Sequence, residues 1–156
     1  MQTDAETEIV ASLARRRRIG LKQQPGRIAL QGAVFIEVDA ATENCSIVVE
    51  AYARQGRLKG AQLKKVAQDI LKLALLKREP KREHTQAIIA FASQEAHDSI
   101  SGWVRQAATS FGVELVVVPI SEELREKIVK AQGRQVMVNV DEIADDVAPP
   151  VASTVN

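Results

Sequence analysis

Apolar positions at Ile9, Val10 and Leu13 recur at helical spacing and predict a first helix over 4–18. Thr3 or Asp4 is its expected cap, Glu6 and Glu8 suit its positive end, and the run Arg15, Arg16, Arg17 and Arg18 suits its negative end. A connection over 20–26, with Pro25, leads to two extended runs, 27–30 and 33–38. Residues 39–44 have turn chemistry and 45–53 read as a strong strand, so 27–53 is predicted as an antiparallel meander or a bent strand followed by a hairpin. After a loop holding Gly56 and Gly60, a helix is predicted over 61–78, with Leu63, Val66, Ile70, Leu73 and Ala74 on one stripe. Leu71, Leu75 and Leu76 widen that stripe and predict burial on more than one side.

The second half alternates regularly. A strand over 86–92 precedes a helix over 94–111, capped by Ser93, closed by Gly112 and carrying Ile100, Trp103, Val104, Ala107, Ala108 and Phe111 as core positions. A strand over 114–119 is followed by a helix from Ser121 to about Ala131, ending at Gly133, and then by a short extended piece over 134–140. The expected fold is therefore α/β: one domain over 1–140, built on a mixed sheet of an antiparallel hairpin plus parallel strands with helices on both faces. The acidic, then Ala/Pro/Val/Ser-rich segment 141–156 is expected to be a disordered tail.

Composition narrows the functional classes. Aromatic residues are only 3% of the chain, which leaves the core to Val, Ile, Leu and Ala and argues against a surface that stacks unpaired bases. The net charge of +1 gives no global bias toward nucleic acid or membrane. Local charge is uneven: Arg15 to Arg18 form one cluster and Lys77, Arg78, Lys81 and Arg82 another. Each reads as a solvated helix end, or as part of a phosphate-binding edge if the fold brings them together. The single Cys45 closes neither a disulfide nor a cysteine zinc site. No basic-then-apolar leader opens the chain and no apolar run approaches about 20 residues, so the expectation is a cytoplasmic protein without a membrane partner.

Chemistry centres on Glu50, a carboxylate inside an apolar strand. Burying it alone would cost several kcal/mol in order of magnitude unless it is paired or bound to a cation. Gln62, Lys65, Asp69 and Lys72 step by three, four and three along the next helix, so they share a face that can approach Glu50. One reading of this seam is structural: Glu50 paired with Lys65 or an arginine. His84 and His97 read as surface histidines, Ser93 and Ser121 as caps, and Trp103 as packing.

The element order, with Glu50-Ala-Tyr52 on a hairpin strand and Gln62, Lys65 and Asp69 on the helix that follows, resembles the PD-(D/E)XK nuclease superfamily, with its restriction-endonuclease-like fold. The resemblance spans roughly residues 4–120 and implies a divalent metal held by an acid on each of two adjacent strands, with a lysine two residues beyond the second acid positioning water. It implies Glu50 as the second acid and metal ligand, Glu8 as the first-helix metal ligand, Gln62 as a late glutamine and Lys59, Lys64 or Lys65 as a displaced amine, with Glu50, Gln62 and Lys65 as the catalytic set; Mg2+ would be the cofactor of an active enzyme. Tyr52 stands at the lysine position. A turn at 41–44 would set Glu50 opposite Phe35, leaving Asp39 more than about 10 Å away at roughly 3.4 Å per residue, too far for a shared metal.

Three functions follow as expectations. The first is a catalytically degenerate restriction-endonuclease-like domain that binds DNA or a protein partner, with Arg15, Arg16, Arg17, Arg18, Lys59 and Lys64 as nucleic-acid contacts. The second is an active metal-dependent nuclease using Glu50. The third is an unrelated α/β interaction or assembly domain, homodimeric through a sheet edge or the apolar helix at 61–76.

Overall fold

The structure, a computed structural model, describes residues 2–145, with side chains over 4–136. Helix α1 (Gln2–Arg17) is followed by four two-residue strands: β1 (Lys22–Gln23), β2 (Ile28–Ala29), β3 (Phe35–Ile36) and β4 (Ala40–Ala41). Strand β5 (Ile47–Tyr52) leads into α2 (Ala61–Lys77), and β6 (Gln86–Phe91) into the short α3 (Gln94–Asp98) and α4 (Gly102–Ser110). Strand β7 (Val113–Val117) and the long α5 (Glu122–Asp145) complete the order.

The main sheet has the order β1-β4-β5-β6-β7, antiparallel from β1 to β5 and parallel from β5 to β7. This is the mixed α/β sheet expected. Strand alternation builds two cores from it. Val48, Tyr52, Ile89 and Phe91 pack with Val66, Ile70 and Leu73 of α2 and with α3 and α4. Val49, Ala51, Ile88 and Ala90 pack on the other face against Ile9 and Leu13 of α1 and Ile128 of α5. Among the described residues no helix is long and apolar enough to cross a membrane.

The meander differs from expectation. Strands β2 and β3 form a separate two-stranded ribbon, and β1 lies in what the sequence suggested was a connection. The partner of β5 is β4, with Ala40 opposite Val49 and Ala41 opposite Val48. The cause is the turn. Thr42 N–H donates to the Ile47 carbonyl at 3.0 Å, Thr42 Oγ1 accepts from Ile47 N at 3.0 Å, and Cys45 takes a left-handed φ of +54°. The chain therefore reverses between Thr42 and Ile47, and the position opposite Glu50 is 39, not 35.

Four further expectations are corrected. The helix over 94–111 breaks at 99–101, where Ser99 Oγ donates to the Ala96 carbonyl and accepts from Leu58 N, and Arg105 donates to the carbonyls of His97 and Ile100. Trp103 is 75% exposed and Phe111 is also exposed, so neither is a core residue. On α2, Leu76 is buried but Leu71 and Leu75 face outward. Finally, α5 runs through Gly133 to Asp145, so 134–140 is helical, as are 141–145; the remainder of the expected tail, 146–156, lies outside the described residues. One glycine costs a helix about 1 kcal/mol, too little to end one whose Ile128 is anchored in the core.

Candidate functional site

The β4–β5 register brings Asp39 and Glu50 together. One residue before Ala40 the chain bends, and Asp39 Oδ2 accepts from Ala51 N at 2.7 Å while its carbonyl accepts from Gln24 N at 2.9 Å. The two carboxylates line a common cavity of about 400 Å³ with Lys65 and Lys72. The separation of more than about 10 Å expected from the sequence is thus overturned by the turn geometry.

Glu50 points to the α2 side of the sheet and is 3% exposed. Lys72 Nζ lies against its Oε1 as an ion pair. Lys72 also meets Asp69 Oδ1 at 3.3 Å. Asp69 Oδ2 accepts from the buried Tyr52 hydroxyl and, at 3.0 Å, from Lys65 Nζ. Lys65 Nζ also sits 4.8 Å from the Tyr52 ring centroid. The structural pairing expected for Glu50 was Lys65 or an arginine; the partner is Lys72, because three residues of helix beyond Asp69 bring its ammonium over the strand.

Burial pushes the Glu50 carboxyl up to about 8, against the pull of Lys72 and with help from the Asp39 and Asp69 charges. Tyr52 is raised well above the ordinary phenol range by burial and by its bond to Asp69, so it stays a neutral donor. Burial opposes the charge on Lys72, but Glu50 and Asp69 outweigh it and raise its pKa.

A second cavity, about 440 Å³, adjoins the first at the carboxyl end of β5. Asp39 and Lys65 line both. Glu6 of α1, Tyr52 and Gln62 also line the larger one, and Gln132 and Gln135 of α5 close its far side. Gln132 holds that wall: it accepts from Gln55 N at 2.9 Å and donates to the Gln55 carbonyl at 3.1 Å.

The other expected site residues divide. Gln62 lines the larger cavity, though its Oε1 accepts from Lys59 N at 3.1 Å and so also stabilises the entry to α2. Lys59 and Lys64 are exposed at that entry. Glu8 is not in the cavity linings; its carboxylate accepts from Ser121 N at 2.7 Å and from Ser121 Oγ, tying α1 to the start of α5. The first-helix acid beside Asp39 is Glu6, one turn-face away from Glu8. The Arg15–Arg18 run lies at the other end of α1, where Arg17 pairs with Glu114 at the start of β7. Asp39 and Glu6 are the residues that sequence reasoning did not bring to the site, and Lys72, though placed on the face toward Glu50, was not named as its partner; the only signal for Asp39 was the turn chemistry of Thr42 and Asn44.

Ser93 caps α3 through Ala96 N, and Ser121 Oγ accepts from Leu124 N at the start of α5, so both serines act as caps as expected. His97 is half-buried edge-on to Phe91 and paired with Asp98, while His84 is exposed. Among the described residues no three His, Cys, Asp or Glu side chains gather as ligands for one ion. No protein-family model, curated protein or solved structure matches the chain.

Proposed function

We propose that the chain is a metal-dependent nuclease domain of the restriction-endonuclease-like kind, with Asp39 and Glu50 as its acid pair. The observation that carries this reading is the β4–β5 register, which supports two acids on adjacent strands beside two amines from the next helix. The donor set fits Mg2+, which is commonly held by one or two carboxylates and completes its shell with water and substrate phosphate. The buried Glu50 Oε1 already faces a cation, the Lys72 ammonium, so a metal would take the place that Lys72 fills. When bound, such an ion would supply Lewis-acid polarisation of a phosphodiester and of water. The chain's own contribution is to hold the carboxylates, with Tyr52 and Asp69 fixing Lys65 and Lys72 on the α2 side. Glu8 is not assigned a metal role.

A second reading is a degenerate domain that binds DNA without cutting it. It is favoured by Lys72, whose ammonium already neutralises Glu50 where a metal would compete with it. Incubating the chain with labelled single- and double-stranded DNA and Mg2+, alongside Glu50→Ala and Asp39→Asn, separates the two. Cleavage lost in both variants supports the nuclease. Binding without cleavage in the unaltered chain favours the degenerate domain, and cleavage that survives both substitutions removes the acid-pair mechanism.

A further inference from the structure

Helices α1 and α2 pack on opposite faces of the sheet, yet both begin beside the cleft: Glu6 lines it from one, Gln62 and Lys65 from the other. Both therefore end at the opposite pole of the domain, and each ends in cations. The two ends meet on the edge strand. Arg17 pairs with Glu114, and Lys77 Nζ donates to the Gly112 carbonyl at 2.9 Å, two residues away. Clusters about 60 residues apart in sequence thus straddle the first residues of β7, which is hydrogen-bonded on one side only.

Helix-end charge complementarity accounts for part of this, since cations favour the last turn of a helix. It does not account for Lys81 and Arg82, which lie beyond α2. Nor does it account for how few ion pairs these cations make. Among the described residues no carboxylate forms an ion pair with Arg15, Arg16, Arg18, Arg78, Lys81 or Arg82. Of the acids nearby, Glu114 is taken by Arg17 and Glu79 accepts from Gln31 N, while Glu83 follows Arg82 in the chain and Glu43 lines a cavity with it; against the eight cations of the two clusters these four acids leave the pole net basic. In a chain of net charge +1 this is a segregated basic pole. Neither cluster contains an aromatic side chain, which disfavours stacking on unpaired bases and leaves phosphate as the group recognised.

We propose that this pole, formed where the ends of α1 and α2 straddle the start of β7, binds the phosphate backbone of a nucleic-acid duplex. It is a surface separate from the acid cleft, and the inference does not rest on cleavage there.

The test is fluorescence anisotropy of a labelled 16-base-pair DNA duplex in EDTA, over a salt series from about 50 to 200 mM. With four to six phosphates neutralised, log K should fall against log salt with a slope of about −4 to −5. The combined substitution Arg15→Ala, Arg16→Ala, Lys81→Ala and Arg82→Ala should weaken binding at least about thirtyfold at 100 mM salt and flatten the slope by about 3 to 4. The same four positions carrying Lys for Arg and Arg for Lys should retain most of both. Lys59→Ala with Lys64→Ala, at the cleft, should change affinity by less than about threefold. All four pole residues are away from the buried core, and unchanged melting of the variants confirms that they fold. Loss of affinity in the cleft variant but not in the pole variant overturns the proposal, as does salt-independent or undetectable binding. Capture by vesicles containing phosphatidylserine, without binding to the duplex, assigns the pole to a lipid surface and overturns it too.

Discussion

Lys72 lies against the Glu50 carboxylate at the centre of the seam between α2 and the sheet. Burial, not the ion pair, dominates the titration of that carboxyl and raises it from 4.5 to about 8. The folded state therefore holds a proton that the unfolded chain releases near its ordinary value. Stability from this group is fully present below about pH 4.5 and is lost as pH rises toward 8. Glu50→Gln removes the titration. Urea unfolding at pH 5 and pH 8 should show the natural chain losing ground to Glu50→Gln by on the order of 2 kcal/mol or more across that interval. An unchanged difference would mean that Glu50 titrates as an exposed glutamate.

The two lysines of the seam should behave differently. Lys65 bonds to Asp69, but its side chain is 60% exposed, so Lys65→Ala should cost under about 1 kcal/mol. Lys72→Met removes the pull that lowers the Glu50 carboxyl, which answers by keeping its proton, so the loss should be about 1–2 kcal/mol at pH 8 and grow as pH rises further. Adding Glu50→Gln to Lys72→Met should recover much of that loss, because removing both charges avoids the unpaired one. Denaturation of the two single variants and the double variant at pH 8 completes the comparison; no recovery in the double variant would show the pair to be uncoupled.

Asp39 is tied to the backbone as well as placed beside Glu50, and the two roles separate by substitution. Asp39→Ala leaves the Ala51 N–H without its acceptor and should cost about 1–3 kcal/mol. Asp39→Asn keeps an acceptor oxygen, so its melting temperature should stay near that of the natural chain. As a nuclease, however, Asp39→Asn should lose cleavage at least as completely as Asp39→Ala. A stable, fully active Asp39→Asn variant would confine Asp39 to the structural role.

The sequence was most legible where one period dominated. The apolar run of β5 and the stripe Val66, Ile70 and Leu73 on α2 packed as the pattern required. The seam was legible for the same reason, since Gln62, Lys65, Asp69 and Lys72 share one helix face. What escaped depended on tertiary detail. The register of Asp39 was set by Thr42 Oγ1 and by the left-handed Cys45, which no alternation pattern encodes. The break at 99–101 was stabilised by Arg105 reaching two freed carbonyls, so an unbroken helical pattern was misleading there. Glu8 and Glu6 both sit on α1, and only the placement of α5, with Ser121 against Glu8, decides which one faces the cleft.

The acid pair makes a further claim that does not need turnover. A divalent ion binding Asp39 and Glu50 would displace the proton that Glu50 holds and compete with Lys72. At pH 5 the proton is held; at pH 8, near the carboxyl's own value, about half of it has been released. Mg2+ should therefore raise the melting temperature more at pH 8 than at pH 5. At ten times the dissociation constant the gain corresponds to about 1.4 kcal/mol. The shift should vanish in Asp39→Asn and in Glu50→Gln, whereas the exposed pairs Glu122–Arg125 and Glu123–Lys127 on α5 can be altered without effect. Differential scanning fluorimetry with and without Mg2+ at the two pH values measures this directly. An equal shift at both pH values, or one that persists in Asp39→Asn, would place any metal elsewhere on the chain and leave the seam to Lys72.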